Sequence, residues 1–319
     1  LKTKSKTILV TGADGFIGSA VFDYFAGRIE RTYGTVYDRT PKKNQFYLDL
    51  LSAESFEEAS SFVPDEGFDV CIHAAGRVDQ NIPTHTMFEV NYGGTKRLLR
   101  WLKGVGCRHF IQMSSITVYG KKVLGENRTE QTRRREWGIA AIPYGLAKAK
   151  AERAIENSGI HYTLLRLPPV LGKRDTFVTP AVMERIEKKD IFTCSKKPRL
   201  VSILIVECLP FYIEQFIALG PQNGAFHIAS HHVPWNDFIC AYTDCRRESG
   251  CTDIPPVVKR GKLSFLFHLR DKKKLLNSMF SAFGSHFSTE KAARLIDLTP
   301  AEDWRRGVRQ AVDAYRNHC

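Results

Sequence analysis

Tyr144 and Lys148 stand four residues apart, just after Pro143. Proline suits the first turn of a helix. Positions i and i+4 share a helix face, so the spacing predicts that phenol and ammonium are neighbours. An adjacent ammonium favours phenolate and lowers the phenol's pKa from its ordinary value of about 10. Such a pair exchanges a proton with a substrate hydroxyl near neutral pH. Upstream, Gln112-Met113-Ser114-Ser115-Ile116-Thr117-Val118-Tyr119-Gly120 gathers hydroxyls where a strand ends. A Tyr and a Lys at this spacing recur in many helices, and Ser and Thr at many strand ends. Their succession is what points to proton transfer.

A second chemistry lies in Ile8-Leu-Val-Thr-Gly-Ala-Asp-Gly-Phe-Ile-Gly18. A short apolar run, Ile8 to Val10, breaks into Gly12, Gly15 and Gly18, followed by the helical pattern Phe16, Ile17, Ala20, Val21, Phe25. Strand, glycine turn and helix form the geometry that takes a dinucleotide pyrophosphate on bare backbone and a helix N-terminus. Three glycines alone make only a turn, but their place after a strand favours the cofactor.

The remaining elements must position these residues. Strands are predicted at Gly34–Asp38, Phe46–Leu50, Asp69–Ala74, His109–Ser114 and Tyr162–Leu167, with helices at Met87–Lys103 and Pro143–Asn157. Alternating strands and helices imply an α/β fold, a doubly wound parallel sheet of Rossmann type that binds at the carboxyl ends of its strands. After Gly172 the alternation weakens. The expected division is a dinucleotide-binding domain over 1–172 and a smaller α+β substrate lobe over 173–319, interwoven with the first and including a strand at Leu200–Val206.

Strand ends then supply binding residues. Asp38 is placed to accept both ribose hydroxyls of an adenosine and to repel a 2′-phosphate, which favours NAD. Arg39 keeps NADP open as an alternative. Asp49 is placed either at the adenine or as a helix cap. Ala74, Ala75 and Gly76 let a cofactor lie against backbone, and His73 reads as a satisfied core histidine.

Composition bounds the rest. The 319 residues are 43% hydrophobic, as in an ordinary globular core, and carry a net charge of +13. Aromatics do not interleave with the basic runs, so the charge suits an anionic small molecule or a solvated surface rather than nucleic acid. No apolar run is long enough to span a bilayer, and no signal-peptide stretch opens the chain. The eight cysteines form no CxxC pair; a reducing cytoplasm is expected, without disulfides or a metal site.

Together these residues resemble the extended short-chain dehydrogenase/reductase superfamily, which includes the NAD-dependent epimerase/dehydratase family. The matching pieces are TGADGFIGS at 11–19, Asp38, IHAAG at 72–76, EVNYGGT at 89–95, MSSITVYG at 113–120, YGLAK at 144–148 and LRLPPVLG at 165–172. The resemblance implies an NAD-dependent enzyme in which Gly12, Gly15 and Gly18 hold the pyrophosphate with Phe16 and Ile17 at the turn. It implies Asp38 at the adenosine ribose, Asp49 and Leu50 at the adenine, and Ala74, Ala75 and Gly76 flanking the cofactor. It further places Asn91, Pro168 and Val170 near the nicotinamide, Ser115 as the catalytic hydroxyl, Tyr144 as acid/base, and Lys148 on the nicotinamide ribose.

Sugar-nucleotide members carry an Asn where this chain has Pro169 and often an Arg where it has Leu200, beside Arg199. Lys259 to Phe283, with Leu263, Phe265, Leu266 and Phe267 between basic runs, resembles the insert of a hydroxysteroid dehydrogenase-like branch. The leading expectation is therefore an oxidoreductase interconverting a secondary alcohol and a ketone. The alternative is an epimerase or dehydratase of a nucleotide sugar, which Arg133, Arg134 and Arg135 would suit if they are more than a solvated loop. Expected partners are a small-molecule substrate and a second copy, through the helices at 87–103 and 143–157. Residues 259–283 are expected to form a lid, with peripheral membrane contact the less favoured reading.

Overall fold

The structure, a computed structural model, describes residues 6–78, 82–136, 143–188, 192–194, 199–248, 258–260, 284–300 and 303–316. The first half runs β1 (Ile8–Thr11), α1 (Phe16–Ala26), β2 (Thr32–Val36), β3 (Gln45–Tyr47), α2 (Ala53–Ser60), β4 (Val70–His73), α3 (Thr84–Phe88), a π-helical turn (Glu89–Gly94), α4 (Thr95–Gly104), β5 (His109–Ser115), a 3-10 segment (Ile116–Val123), β6 (Gly125–Arg128), α5 (Pro143–Glu156) and β7 (Tyr162–Leu167). It continues through β8 (Val170–Leu171), α6 (Val178–Glu187), β9 (Phe192–Cys194), β10 (Leu200–Ile205), α7 (Leu209–Leu219), β11 (Gly224–His227), β12 (His231–Pro234), α8 (Trp235–Glu248), β13 (Val258–Arg260), β14 (Ser285–Phe287), α9 (Glu290–Ala293) and α10 (Trp304–Arg316).

Seven strands form one parallel sheet in the order β11-β7-β5-β4-β1-β2-β3. Its central strands are apolar on both faces, as a sheet covered by helices on both sides requires. Val10, Ile72, Ile111 and Leu165 join one core cluster, while their neighbours Leu9, Cys71, Phe110 and Leu164 join the other. Chain order reverses between β1 and β4, and a crevice opens there. The expected doubly wound α/β fold is the fold observed.

Sheet membership crosses the expected boundary at 172. β11 closes one edge of the large sheet, and β6 joins β12, β10 and β14 in the second. Neither β11 nor β6 carries a pattern strong enough to be read locally: Gly224-Ala-Phe-His and Gly125-Glu-Asn-Arg are too short and too mixed.

Three sequence readings are corrected. The strand expected at Phe46–Leu50 runs over Gln45–Tyr47, so Asp49 and Leu50 lie beyond its end. Asp38 lies beyond β2, which ends at Val36, because its backbone bonds to Asp14 instead of to a neighbouring strand. The helix expected over 87–103 is broken by the π-helical turn at Glu89–Gly94. The wide turn lets Asn91 reach backbone groups on both sides, and wide turns of this kind concentrate at functional sites. Residues 261–283, on which the lid and membrane readings rest, lie outside the described residues. Among the described residues, no helix is long and apolar enough to cross a membrane.

Candidate active site

The phosphate turn follows from packing. Gly12 has φ +69°, and a Cβ on Gly18 would lie 1.9 Å from the Gly12 carbonyl oxygen. Only glycines allow β1, the turn and α1 to approach this closely. Gly15 is the N-cap of α1, and no side chain caps that end. Its first N–H groups thus remain for an anion. Phe16 and Ile17 begin the helix and pack half-buried against the core.

The crevice beside this turn is a cleft of about 490 Å3. Its wall brings together Gly12, Gly15, Asp38, Asp49, Leu50, Ala74, Ala75 and Gly76. These sequence-predicted residues come from four strand ends. Asp38 is exposed at the rim, next to Arg39. Asp49 is not the cap of α2; Ser52 is, accepting from Ser55 N at 3.1 Å, while Asp49 accepts from Leu51 N at 2.8 Å. Small side chains at 74–76 and an uncapped helix end over a cleft of this size fit a dinucleotide.

Asp14, inside the glycine turn, carries no signal of a role in its local sequence. Its Oδ2 accepts from the backbone N–H of both Tyr37 and Asp38, at 2.8 Å each. It thereby fixes the loop that presents Asp38. Arg174 adds a second brace, donating Nη2 to the Asp14 carbonyl at 2.8 Å.

His73 is a core histidine, as expected. Its Nδ1 pairs with Thr11 Oγ1 at 2.7 Å and its Nε2 with Thr95 Oγ1 at 3.2 Å. Burial, with the Lys148 charge adding to it, pushes its pKa down to about 3. Asn91 is buried and uses its amide on backbone: Nδ2 donates to Arg77 O at 2.6 Å and Met87 O at 2.9 Å, and Oδ1 accepts from Arg77 N at 3.2 Å. It braces the loop after Gly76. Pro168 and Val170 follow β7, both buried, with Val170 in the core cluster and paired with Leu204. Neither borders the cleft among its lining residues.

The catalytic candidates meet where α5 starts beside the end of β5. Gly145 sits so close to the 3-10 segment that a Cβ there would lie 2.0 Å from the Thr117 carbonyl oxygen. This contact sets Tyr144 beside the turn carrying Ser115 and Thr117. Ser115 Oγ accepts from Thr117 N at 3.2 Å and Thr117 Oγ1 at 2.9 Å, which leaves its own O–H to donate. Lys148 is buried, donates Nζ to Met113 O at 3.1 Å, and lies 3.5 Å from where a Gly76 Cβ would be. It packs behind Gly76 of the cleft wall; like Ser115 and Tyr144, it is not itself among the residues that line the cleft.

The electrostatics of the pair differ from the expectation. Lys148 Nζ stands 5.8 Å from the Tyr144 ring centroid and turns toward Met113. Burial pushes the Tyr144 phenol up from its ordinary value. Burial also lowers Lys148 to about 8, against the opposing pull of Glu152. Desolvation disfavours both charged forms, and it is the largest influence on each.

Arg134 is not part of a solvated loop. Its Nη1 lies 2.8 Å from carboxylate oxygens of both Glu152 and Glu156. Pro169, in place of the substrate-binding Asn, spends its carbonyl on Leu204 N at 3.0 Å. Arg199 pairs with Glu126 at 2.9 Å at the start of β10.

A parallel Rossmann sheet with a glycine phosphate turn and a Ser-Tyr-Lys set defines an extended short-chain dehydrogenase/reductase. The sequence model of the NAD dependent epimerase/dehydratase family matches residues 8–202, and the chain belongs to that family. It is a family of NAD-using enzymes. Solved structures share the fold over at least 98% of their own length. WbmH of Bordetella bronchiseptica, in complex with NAD+, aligns over 99% of this chain and 100% of its own, at 16% identity and TM-score 0.75. UDP-glucose 4-epimerase of Thermotoga maritima, with UDP-glucose, aligns over 98% and 99%, at 20% identity and TM-score 0.71. UDP-glucuronic acid 4-epimerase of Bacillus cereus, in complex with NAD, aligns over 97% and 98%, at 17% identity and TM-score 0.70.

Proposed function

We propose that this protein is an NAD-dependent epimerase or dehydratase acting on a nucleotide sugar. The observation that carries the chemistry is Lys148 packed against Gly76 of the cleft wall, with Tyr144 on the same helix beside the Ser115 turn. NAD supplies the hydride acceptor when bound. Gly12, Gly15 and the open end of α1 would hold its pyrophosphate, Asp38 its adenosine ribose, and Lys148 its nicotinamide ribose. Tyr144 takes the substrate hydroxyl proton only as phenolate, a form that burial makes scarce at neutral pH, and Ser115 donates to the same oxygen and stabilises developing charge. The substrate class rests on the family and on two neighbours that are UDP-sugar 4-epimerases. The net charge of +13 agrees with an anionic substrate.

Net oxidation of an alcohol is the second reading. It is favoured by Pro169 and Leu200 at the positions of the diphosphate-binding Asn and Arg. Incubation with UDP- and dTDP-sugars separates the two. Conversion without NADH accumulation supports the first. Stoichiometric NADH release with an uncharged alcohol, and no sugar-nucleotide conversion, would replace it with the second.

We further propose a cytoplasmic homodimer formed through α4 and α5. The groove between them, about 580 Å3, carries Lys96, Arg100, Lys103, Lys150 and Arg153. A two-fold contact sets such a patch against its own copy, so the dimer should tighten as salt screens the repulsion. Sedimentation showing a monomer at every salt concentration would exclude it.

A further inference from the structure

Glu152, two turns beyond Tyr144 on α5, is wholly buried and has no part in the chemistry described above. We propose that Glu152 is a positioning residue for the reaction, its carboxylate locking together the strand end that bears Ser115, the helix that bears Tyr144 and Lys148, and the strand that leads to Pro168. The proposal rests on the Tyr144–Lys148 chemistry but not on the identity of the substrate.

Both carboxylate oxygens are fully engaged. Oε1 accepts from Ser114 Oγ at 2.6 Å and Arg166 Nε at 3.0 Å. Oε2 accepts from Arg166 Nη2 at 2.7 Å and Arg134 Nη1 at 2.8 Å. Ser114 directly precedes Ser115 on β5, and Arg166 belongs to β7. Arg166 carries the network further. Its Nη1 donates to Tyr119 Oη at 2.7 Å, and Tyr119 lies 2.7 Å from His227 Nε2. His227 Nδ1 is 3.0 Å from the Ser288 carbonyl. Burial pushes His227 down to about 4, so at neutral pH its one N–H sits on Nδ1 and Tyr119 donates to Nε2. The run of bonds thus has one direction, from Arg166 through Tyr119 and His227 to Ser288. It connects the catalytic helix with β11 and the segment after β14.

Glu152 also sets the charge around Lys148. Burial alone would raise its carboxyl, but the Arg166 charge and the bonds from Arg166, Arg134 and Ser114 bring it below its ordinary range. It remains an anion one helical turn from Lys148 and opposes the burial that drives Lys148 to shed its proton. The other groups bearing on the pair are His73 on β4, Tyr144 on α5 itself, and Arg134 in the preceding loop with its partners Glu136 and Glu156. His73 stays neutral, and among the described residues Glu152 is the carboxylate that favours the charged form of Lys148. A buried ion pair is weak evidence for stability, whereas an anion that fixes the charge of a catalytic lysine has a functional reason to be there.

The test follows the Lys148 titration in NAD-loaded protein by ε-13C-lysine NMR, its signal assigned by loss in Lys148→Met. Glu152→Gln should lower the midpoint by about one pH unit or more, the range typical of a lost opposite charge. Arg134→Met, which removes a cation from the far side of Glu152, should raise it. Ser114→Ala, which keeps every charge, should leave it in place. Opposite shifts in the two charge variants are a signature that loosened packing does not produce. If Glu152→Gln does not fold, Arg134→Met decides alone. A midpoint unmoved or lowered in Arg134→Met, or unmoved in Glu152→Gln, overturns the proposal. No step needs a substrate, so failure to convert nucleotide sugars counts against the proposed function and not against Glu152.

Discussion

Lys148 donates its ammonium to the carbonyl oxygen of Met113 at 3.1 Å, joining α5 to the strand that ends in Ser115. Its pKa is lowered by burial to about 8, against 10.5 for a free lysine. Between those values the unfolded chain holds a proton that the folded chain has released, so this residue makes stability rise with pH across the window. The buried ammonium is a cost below about pH 8. Denaturant unfolding at pH 7.5 and 9.5 should show wild type gaining more, or losing less, stability with pH than Lys148→Met. Identical pH slopes in the two proteins would contradict the burial of this charge.

Tyr144→Phe removes the phenol oxygen and little else, since it keeps the half-buried ring. Turnover should fall by roughly 10²–10⁴-fold, the usual worth of a positioned acid/base. Fold and NAD affinity should stay near wild type by circular dichroism and calorimetry. A variant that turns over at the normal rate removes Tyr144 from the mechanism.

Asp14 holds the loop of Asp38 by two backbone hydrogen bonds of 2.8 Å. Asp14→Ala should free that loop, weaken NAD binding by about tenfold, or about 1.4 kcal/mol, and narrow the preference for NAD over NADP. Titration of both cofactors checks it. An unchanged ratio would show that Asp38 keeps its place without the clamp.

Gly145→Ala places a methyl 2.0 Å from the Thr117 carbonyl oxygen. The start of α5 must then move away from the 3-10 segment, carrying Tyr144 from Ser115. Activity should drop by at least about tenfold, since small misplacements of reacting groups are costly, while NAD affinity changes little. Loss of NAD binding in step with activity would mean that the helix shift reaches the cleft.

Much of this site was legible in sequence because it is local. The glycine turn sits within residues 8–18, Tyr144 and Lys148 share a helix face, and each strand end announces itself by an apolar run giving way to small or polar residues. The parallel sheet follows from alternation, and Tyr162–Leu167 emerges with the boundaries read from its pattern. Boundaries slipped where side chains capture backbone, as Asp14 does beyond Val36 and Asn91 does in the π-helical turn.

What only the tertiary structure decided is pairing over distance. Tyr119 meets His227 across 108 residues and Arg174 meets Asp14 across 160. Arg134 reads as one of three solvated arginines until the fold sets Glu152 and Glu156 beside it. The direction in which the Tyr144 and Lys148 pKa values move belongs here too. Spacing on a helix puts two groups near each other, but the direction of their pKa shifts depends on how far the folded chain removes them from water. Periodicity and short-range spacing are properties of the chain; burial, and the long-range partners that satisfy a buried charge, exist only once the chain has folded.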